Sequence, residues 1–129
     1  MNISWLQIAL VALGGALGSV LRFLASGTVH RWLPGLLFPV GTLFVNVVGS
    51  LLIGLMGGLA ESRQFLVPEL RVFLLSGCLG GFTTFSAFAF ESLGLALDAA
   101  WGRVAVNIAA QLVLGLGAAV AGYGLGRAV

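Results

Sequence analysis

Thr42, Asn46 and Ser50 fall at i, i+4 and i+8, and Asn107 and Gln111 repeat the same step, with Gly115 continuing their face. Residues spaced by four share one side of a helix. These polar side chains lie in stretches otherwise apolar enough to cross a bilayer, where a polar group is expensive and defaults to a functional reading. The plain alternative is interhelical hydrogen bonding, which is common for Asn, Gln, Ser and Thr in membrane bundles. A third stretch shifts the balance toward a track for a polar solute. It runs from Gly77 to Phe88 and holds the adjacent glycines Gly80 and Gly81 and the adjacent threonines Thr83 and Thr84. Neighbouring glycines raise the backbone entropy cost of a helix, and threonine loses rotamer freedom against the preceding turn. The helix is therefore expected to break between Gly80 and Thr84. Carbonyls and amides freed by a break cannot face lipid, and must face protein or a water-filled cavity. Broken spans of this kind hold ions in transporters. Phe82, Phe85 and Phe88, spaced by three, are expected on one face beside the break.

The sign of the solute follows from the donors. The amides of Asn46, Asn107 and Gln111 and the hydroxyls of Thr42, Thr84 and Ser86 can all donate hydrogen bonds. Phenylalanine rings carry positive edges. Donors and ring edges together suit a small, strongly accepting anion. Asn46 is expected to offer its amide at mid-span. Arg22 shares a face with Gly14 and Gly18, and either lends positive field to a vestibule or snorkels to the interface. Glu91 opposes a simple anion path; it pairs with an arginine, stays protonated or turns away.

The elements that must position these groups are spanning helices. Of the 129 residues, 60% are hydrophobic and only 8% charged, against about 25% charged in a typical soluble domain. The pattern predicts an all-α integral membrane protein with a single four-helix domain over 1–129. A span needs about 20 mostly apolar residues, and four segments qualify: roughly 4–25, 38–60, 71–96 and 104–126. The first is not expected to be a cleavable signal, since it lacks a basic start and continues apolar to about Ala25. The first loop carries His30, Arg31, Trp32, Pro34 and Pro39, the second runs from Glu61 to Arg71, and the third from Asp98 to Arg103. Trp5, Trp32 and Trp101 fall near helix ends, as interfacial tryptophans do. Gly14 with Gly18, and Gly54 with Gly58, have the spacing that lets helix backbones approach closely.

Four spans put Arg63, Arg71 and Arg127 on one side, and Arg22, Arg31 and Arg103 on the other, three against three. Excess Lys and Arg on the cytoplasmic side sets orientation, and here there is no excess. Either subtler cues orient the chain, or chains insert both ways and pair antiparallel.

Several functions lack support. The only histidine, His30, stands beside no nucleophile, and no phosphate-binding or metal-ligand pattern occurs, so the chain does not read as an enzyme. The one cysteine, Cys78, reads as a small membrane-core residue. A net charge of +2, scattered along the chain, excludes a nucleic-acid partner.

With these residues assembled, the chain resembles the Fluc (CrcB) family of fluoride channels along nearly its whole length. The resemblance rests on three motifs in order: Gly14-Gly15-Ala16-Leu17-Gly18-Ser19-Val20-Leu21-Arg22, Gly41-Thr42-Leu43-Phe44-Val45-Asn46-Val47-Val48-Gly49, and Gly80-Gly81-Phe82-Thr83-Thr84-Phe85-Ser86-Ala87-Phe88. It implies a dual-topology antiparallel homodimer in a bacterial inner membrane, with two fluoride pores. It implies passive export of fluoride that entered as the neutral acid, and hence fluoride resistance. The family's pore phenylalanines match Phe85 and Phe88, and its pore asparagine matches Asn46. It further implies a central sodium ion held by backbone carbonyls, here matching Gly80 and Thr83, from both subunits. Two features depart from the family's pattern. Asn107, Gln111 and Gly115 stand where Ser or Thr is frequent, and Ala87 replaces a common Thr. Two alternatives remain beside it. A small dual-topology multidrug or cation transporter would share the architecture but needs a carboxylate in the first span, which has none. A structural or regulatory membrane subunit would carry no flux.

Overall fold

The computed structural model describes residues 3–63 and 67–129. Residues 64–66 of the expected second loop, and the side chains of Ser62 and Arg63, lie outside the described residues. Four long helical segments result: α1 (Trp5–Trp32), α2 (Val40–Arg63), a composite third segment (Pro68–Leu97), and α6 (Trp101–Ala128). The third is built from α3 (Pro68–Arg71), a π-helical stretch π1 (Val72–Leu79), a single turn α4 (Gly80–Phe82) and α5 (Phe85–Leu97). All four are long and apolar enough to cross a membrane.

The helix ends follow local chemistry. Ser4 and Gln7 form a reciprocal capping box that starts α1. His30 and Arg31 occupy its last turn, where positive charge favours the dipole. The helix then stops at the Pro34–Gly35 turn, with Gly35 at φ 87°. The first loop is thus shorter than expected, and His30 belongs to α1. Arg22 consequently lies ten residues before the end of α1, inside the span instead of at its end. The third loop also shortens, to the residues between Leu97 and Trp101, and Arg103 joins α6.

Glycine sets the packing. Gly14 and Gly18 bring α1 onto the backbone of π1. A Cβ at Gly14 would fall 2.6 Å from the Phe73 carbonyl, and one at Gly18 would strike the Cys78 carbonyl. Gly54 and Gly58 of α2 meet the Ala119 and Tyr123 carbonyls of α6, while Gly122 and Gly126 of α6 meet the Leu51 and Leu55 carbonyls of α2. Backbone-to-backbone contact of this kind drives helix association where the solvent is as apolar as the side chains. The expected glycine pairs lie at these contacts, and α6 supplies an answering pair.

The exterior is apolar. The surface of 8250 Å² exceeds the roughly 6,500 Å² of a water-soluble chain of this size. Val45 and Leu79 are the buried hydrophobic side chains among the described residues, and Trp5, Trp32 and Trp101 stand exposed. Such a surface requires lipid or a partner to cover it.

Candidate functional site

The third segment leaves helical geometry at two residues. Thr83 (φ −84°, ψ 159°) and Thr84 (φ −153°, ψ 114°) are extended. Gly80 and Gly81, expected within the break, stay helical. Asn46 of α2 clasps the extended backbone. Its Oδ1 accepts from the Thr84 N–H at 2.8 Å and its Nδ2 donates to the Thr84 carbonyl at 3.0 Å. An asparagine side chain thereby pairs both polar groups of one residue, as a neighbouring strand would. The Thr84 hydroxyl caps α5, accepting from Ala87 N at 3.1 Å, and lies 3.3 Å from the Ser86 hydroxyl.

The break redirects carbonyls as well. In a continuous helix, Gly80 O would accept from Thr84 N and Thr83 O from Ala87 N. Those donors now serve Asn46 and the Thr84 hydroxyl. The Thr83 N–H and hydroxyl both bond back to Leu79 O, each at 3.1 Å. Gly80 and Thr83 are left with carbonyls whose helical donors are engaged elsewhere.

Beside the clasp lies a cleft of about 390 Å³, lined among others by Asn46, Ser50, Thr84, Phe85, Phe88 and Gln111. The Phe85 and Phe88 rings meet edge to face, centroids 5.4 Å apart at 66°. Phe82 does not join them. The two extended residues reset the helical phase, and Phe82 packs with Leu17, Leu21 and Cys78 in a separate apolar cavity. Gln111 of α6 accepts from Asn46 Nδ2 at 3.1 Å through Oε1, while its buried Nε2 finds no partner among the described residues. Both hydrogens of Asn46 Nδ2 are therefore engaged, one by Thr84 and one by Gln111. This differs from the expectation of a free donor at Asn46.

A second cavity, of about 300 Å³, shares Thr84 with the cleft and adds Arg22, Ser26, Thr42 and Glu91. Arg22 and Glu91, on different helices, face one space. Thr42 donates to Glu91 Oε1 at 2.6 Å, and Glu91 Oε2 is buried without a partner among the described residues. Asn107 is fully buried and donates to Ser92 at 3.0 Å; Ser92 in turn donates to the Phe88 carbonyl at 2.8 Å. Of the two polar stripes, Asn46 and Gln111 meet at the break, while Thr42 and Asn107 bond Glu91 and Ser92 further along α5. Ser92 escaped the sequence reading. Its spacing of four from Phe88 was the available signal. Tyr123, which donates to Glu61 and lies under Arg127 (5.8 Å from guanidinium carbon to ring centroid), was also missed; it ties α6 to α2 away from the cleft.

Comparison with known proteins fits this geometry. The model of the CrcB-like protein, Camphor Resistance (CrcB) family matches residues 9–123. A fluoride-specific ion channel FluC of Nitratidesulfovibrio vulgaris (strain Miyazaki F) is 49% identical over 123 residues, 95% of this chain and 98% of that one. A protein of the same name from Agrobacterium fabrum is 49% identical over 122 residues, covering 95% and 97%. Another from Maridesulfovibrio salexigens is 44% identical over 119 residues, covering 92% and 94%. With the family's model spanning all four helices and relatives matched nearly end to end, this chain is a multi-pass membrane protein that belongs to the CrcB family.

Proposed function

We propose that this chain is a fluoride-selective ion channel that lets cytoplasmic fluoride leave a bacterium passively across its inner membrane, giving fluoride resistance. The relatives' names support the ion. The observation that carries the reading is the cleft, where a buried amide donor and two phenylalanine rings converge beside an interrupted helix. A small anion entering a dry passage must exchange its water for other donors. Arg22 lends positive field in the adjoining cavity, which Thr42 and Glu91 also line. Thr84 lines both spaces, with its hydroxyl 3.3 Å from that of Ser86, and Asn107, through Ser92, steadies the turn that carries Phe88. The multidrug alternative is not favoured, because α1 lacks the carboxylate that proton coupling requires.

The working unit is a dual-topology antiparallel homodimer with two pores. Phe85 is 78% exposed in one subunit, so the cleft wall needs a second copy to close. With Arg22 withdrawn into the span, Arg63, Arg71 and Arg127 oppose Arg31 and Arg103, a difference of one. That leaves little orienting bias. Reporter tags on the C-termini of the full chain are expected on both sides of the membrane in comparable amounts; tags on one side only rule out dual topology.

The carbonyls of Gly80 and Thr83 fit a structural sodium ion. They are hard oxygen ligands whose helical donors are engaged elsewhere. The ion would offset carbonyl dipoles where two breaks meet across the dimer. Liposomes holding the purified protein should release fluoride, read by an ion-selective electrode, far faster than chloride. Replacing all sodium by a large organic cation should abolish that release or dissociate the dimer. Undiminished release after exhaustive sodium removal excludes the ion, leaving the break held by Thr83 and Asn46 alone. Absence of fluoride release with sodium present excludes the channel.

A further inference from the structure

We infer that His30 is a titratable outer residue of the anion path, whose proton adds positive charge at the mouth of the Arg22 cavity and so raises fluoride conduction as pH falls. The inference rests on the fluoride-channel reading and adds a regulation to it. Arg22, Ser26 and His30 follow one another at steps of four on α1, which stacks them along one side of the helix. The first two line the cavity that Thr42 and Glu91 line from other helices. His30 stands one turn further out on that side, and it is exposed. Its charge reaches the Glu91 carboxyl across the same space. Helical register and electrostatic reach thus place His30 over one opening.

Histidine is the side chain that ordinarily changes charge between pH 5 and 8. Its neighbours leave it the natural sensor at this mouth. Arg22 keeps its charge throughout that range, and Arg31 follows on an adjoining face of α1. Glu91 is the one titratable side chain of α5. α2 carries none before Glu61, at its far end. π1 and α4 carry Cys78 alone, which lies against Gly18, several turns below His30. Asp98 and Arg103 stand beyond α5 at the same end of the bundle. The last turn of α1 favours a cation at His30 through the helix dipole. One more positive charge at the mouth of a cleft raises the local concentration of an anion, and salt screens the effect. The chemistry of the load gives the sensor a use. Fluoride that enters as the neutral acid releases one proton for each anion formed, so the ion to be exported and the proton that charges His30 arrive together.

The test is electrical, because the neutral acid carries no current. Fluoride currents of the full-length protein in bilayers, with sodium present and equal pH on both sides, are recorded from about pH 5.5 to pH 8. The wild-type current should be about threefold or more larger at the acid end at low ionic strength, and the ratio should shrink in high salt. His30→Gln, which is never charged, should give a flat profile at the wild-type alkaline level. His30→Lys, which is charged throughout, should give a flat profile at the wild-type acid level. A flat wild-type profile overturns the inference, as does a wild-type profile in either variant, so one assembled variant suffices. A profile that persists in His30→Gln and vanishes in Glu91→Gln assigns the proton to Glu91 and overturns it equally. Absence of fluoride current from the wild-type protein at every pH overturns the channel reading itself.

Discussion

Fluoride efflux should fall about tenfold or more when Phe85 or Phe88 is replaced by Ile, with the protein still eluting as the same assembly. Isoleucine preserves apolar bulk and keeps the cleft dry, so packing changes little. It lacks the ring's positive edge. Between two neutral rings such oriented contacts are worth about 0.5–1.5 kcal/mol beyond area burial, and each 1.4 kcal/mol is tenfold. A desolvated anion with few other partners depends on each remaining contact more than a neutral ring does. The two rings also orient each other, meeting edge to face at 66°, so either substitution frees its neighbour. The Phe88 carbonyl keeps its bond from Ser92 in Phe88→Ile, because that bond is to backbone. A loss of flux therefore cannot be assigned to an unravelled α5. Wild-type flux in both variants would remove the rings from the pathway.

The sequence revealed the site unevenly, and the reasons are physical. The Thr42/Asn46 and Asn107/Gln111 stripes were readable because helical periodicity fixes which residues share a face, and membrane burial makes polar residues conspicuous. Glycine pairs at α1 and α2 were readable for a similar reason, since only glycine permits the backbone contacts found at Gly18 and Gly54. The three-ring ladder misled because it assumed unbroken helical phase through Phe82. Two extended threonines rotate α5 relative to the turn before them, and no local propensity specifies by how much. The π-helical stretch at Val72–Leu79 has no signature in local propensity; it brings Gly77 and Cys78 against α1, a tertiary demand. Arg22 lies deeper than expected because the first span runs on to Trp32. The basic pair His30–Arg31 reads equally as loop or as a favourable last helical turn. Donor count at Asn46 was beyond the sequence altogether, since it depends on which two hydrogen-bond partners stand beside the amide.

That donor count makes Asn46→Asp the most disruptive single-atom exchange expected in the chain. Asn46 gives three hydrogen bonds to the break and its surroundings: it accepts from Thr84 N, and donates to Thr84 O and to Gln111 Oε1. Aspartate retains only the first. Its second oxygen would face two other acceptors with no proton between them. Leaving a buried polar group unsatisfied costs about 1–3 kcal/mol, more where charge is involved. The strain can relax in one way at low cost. Gln111 can rotate so that Nε2 bonds the new carboxylate. The Thr84 carbonyl has no comparable rescue, because its donor was on Asn46 alone. Two readouts should therefore move together. Fluoride flux should drop to the level of empty liposomes, through both the opened clasp and the added negative charge beside the path. Thermal unfolding of the purified protein should shift downward by several degrees, since the clasp that holds the interrupted segment is opened. A variant with wild-type flux and an unshifted unfolding curve would mean that the break is held by Thr83 and Thr84 themselves, and that Asn46 neither supports it nor orients Gln111.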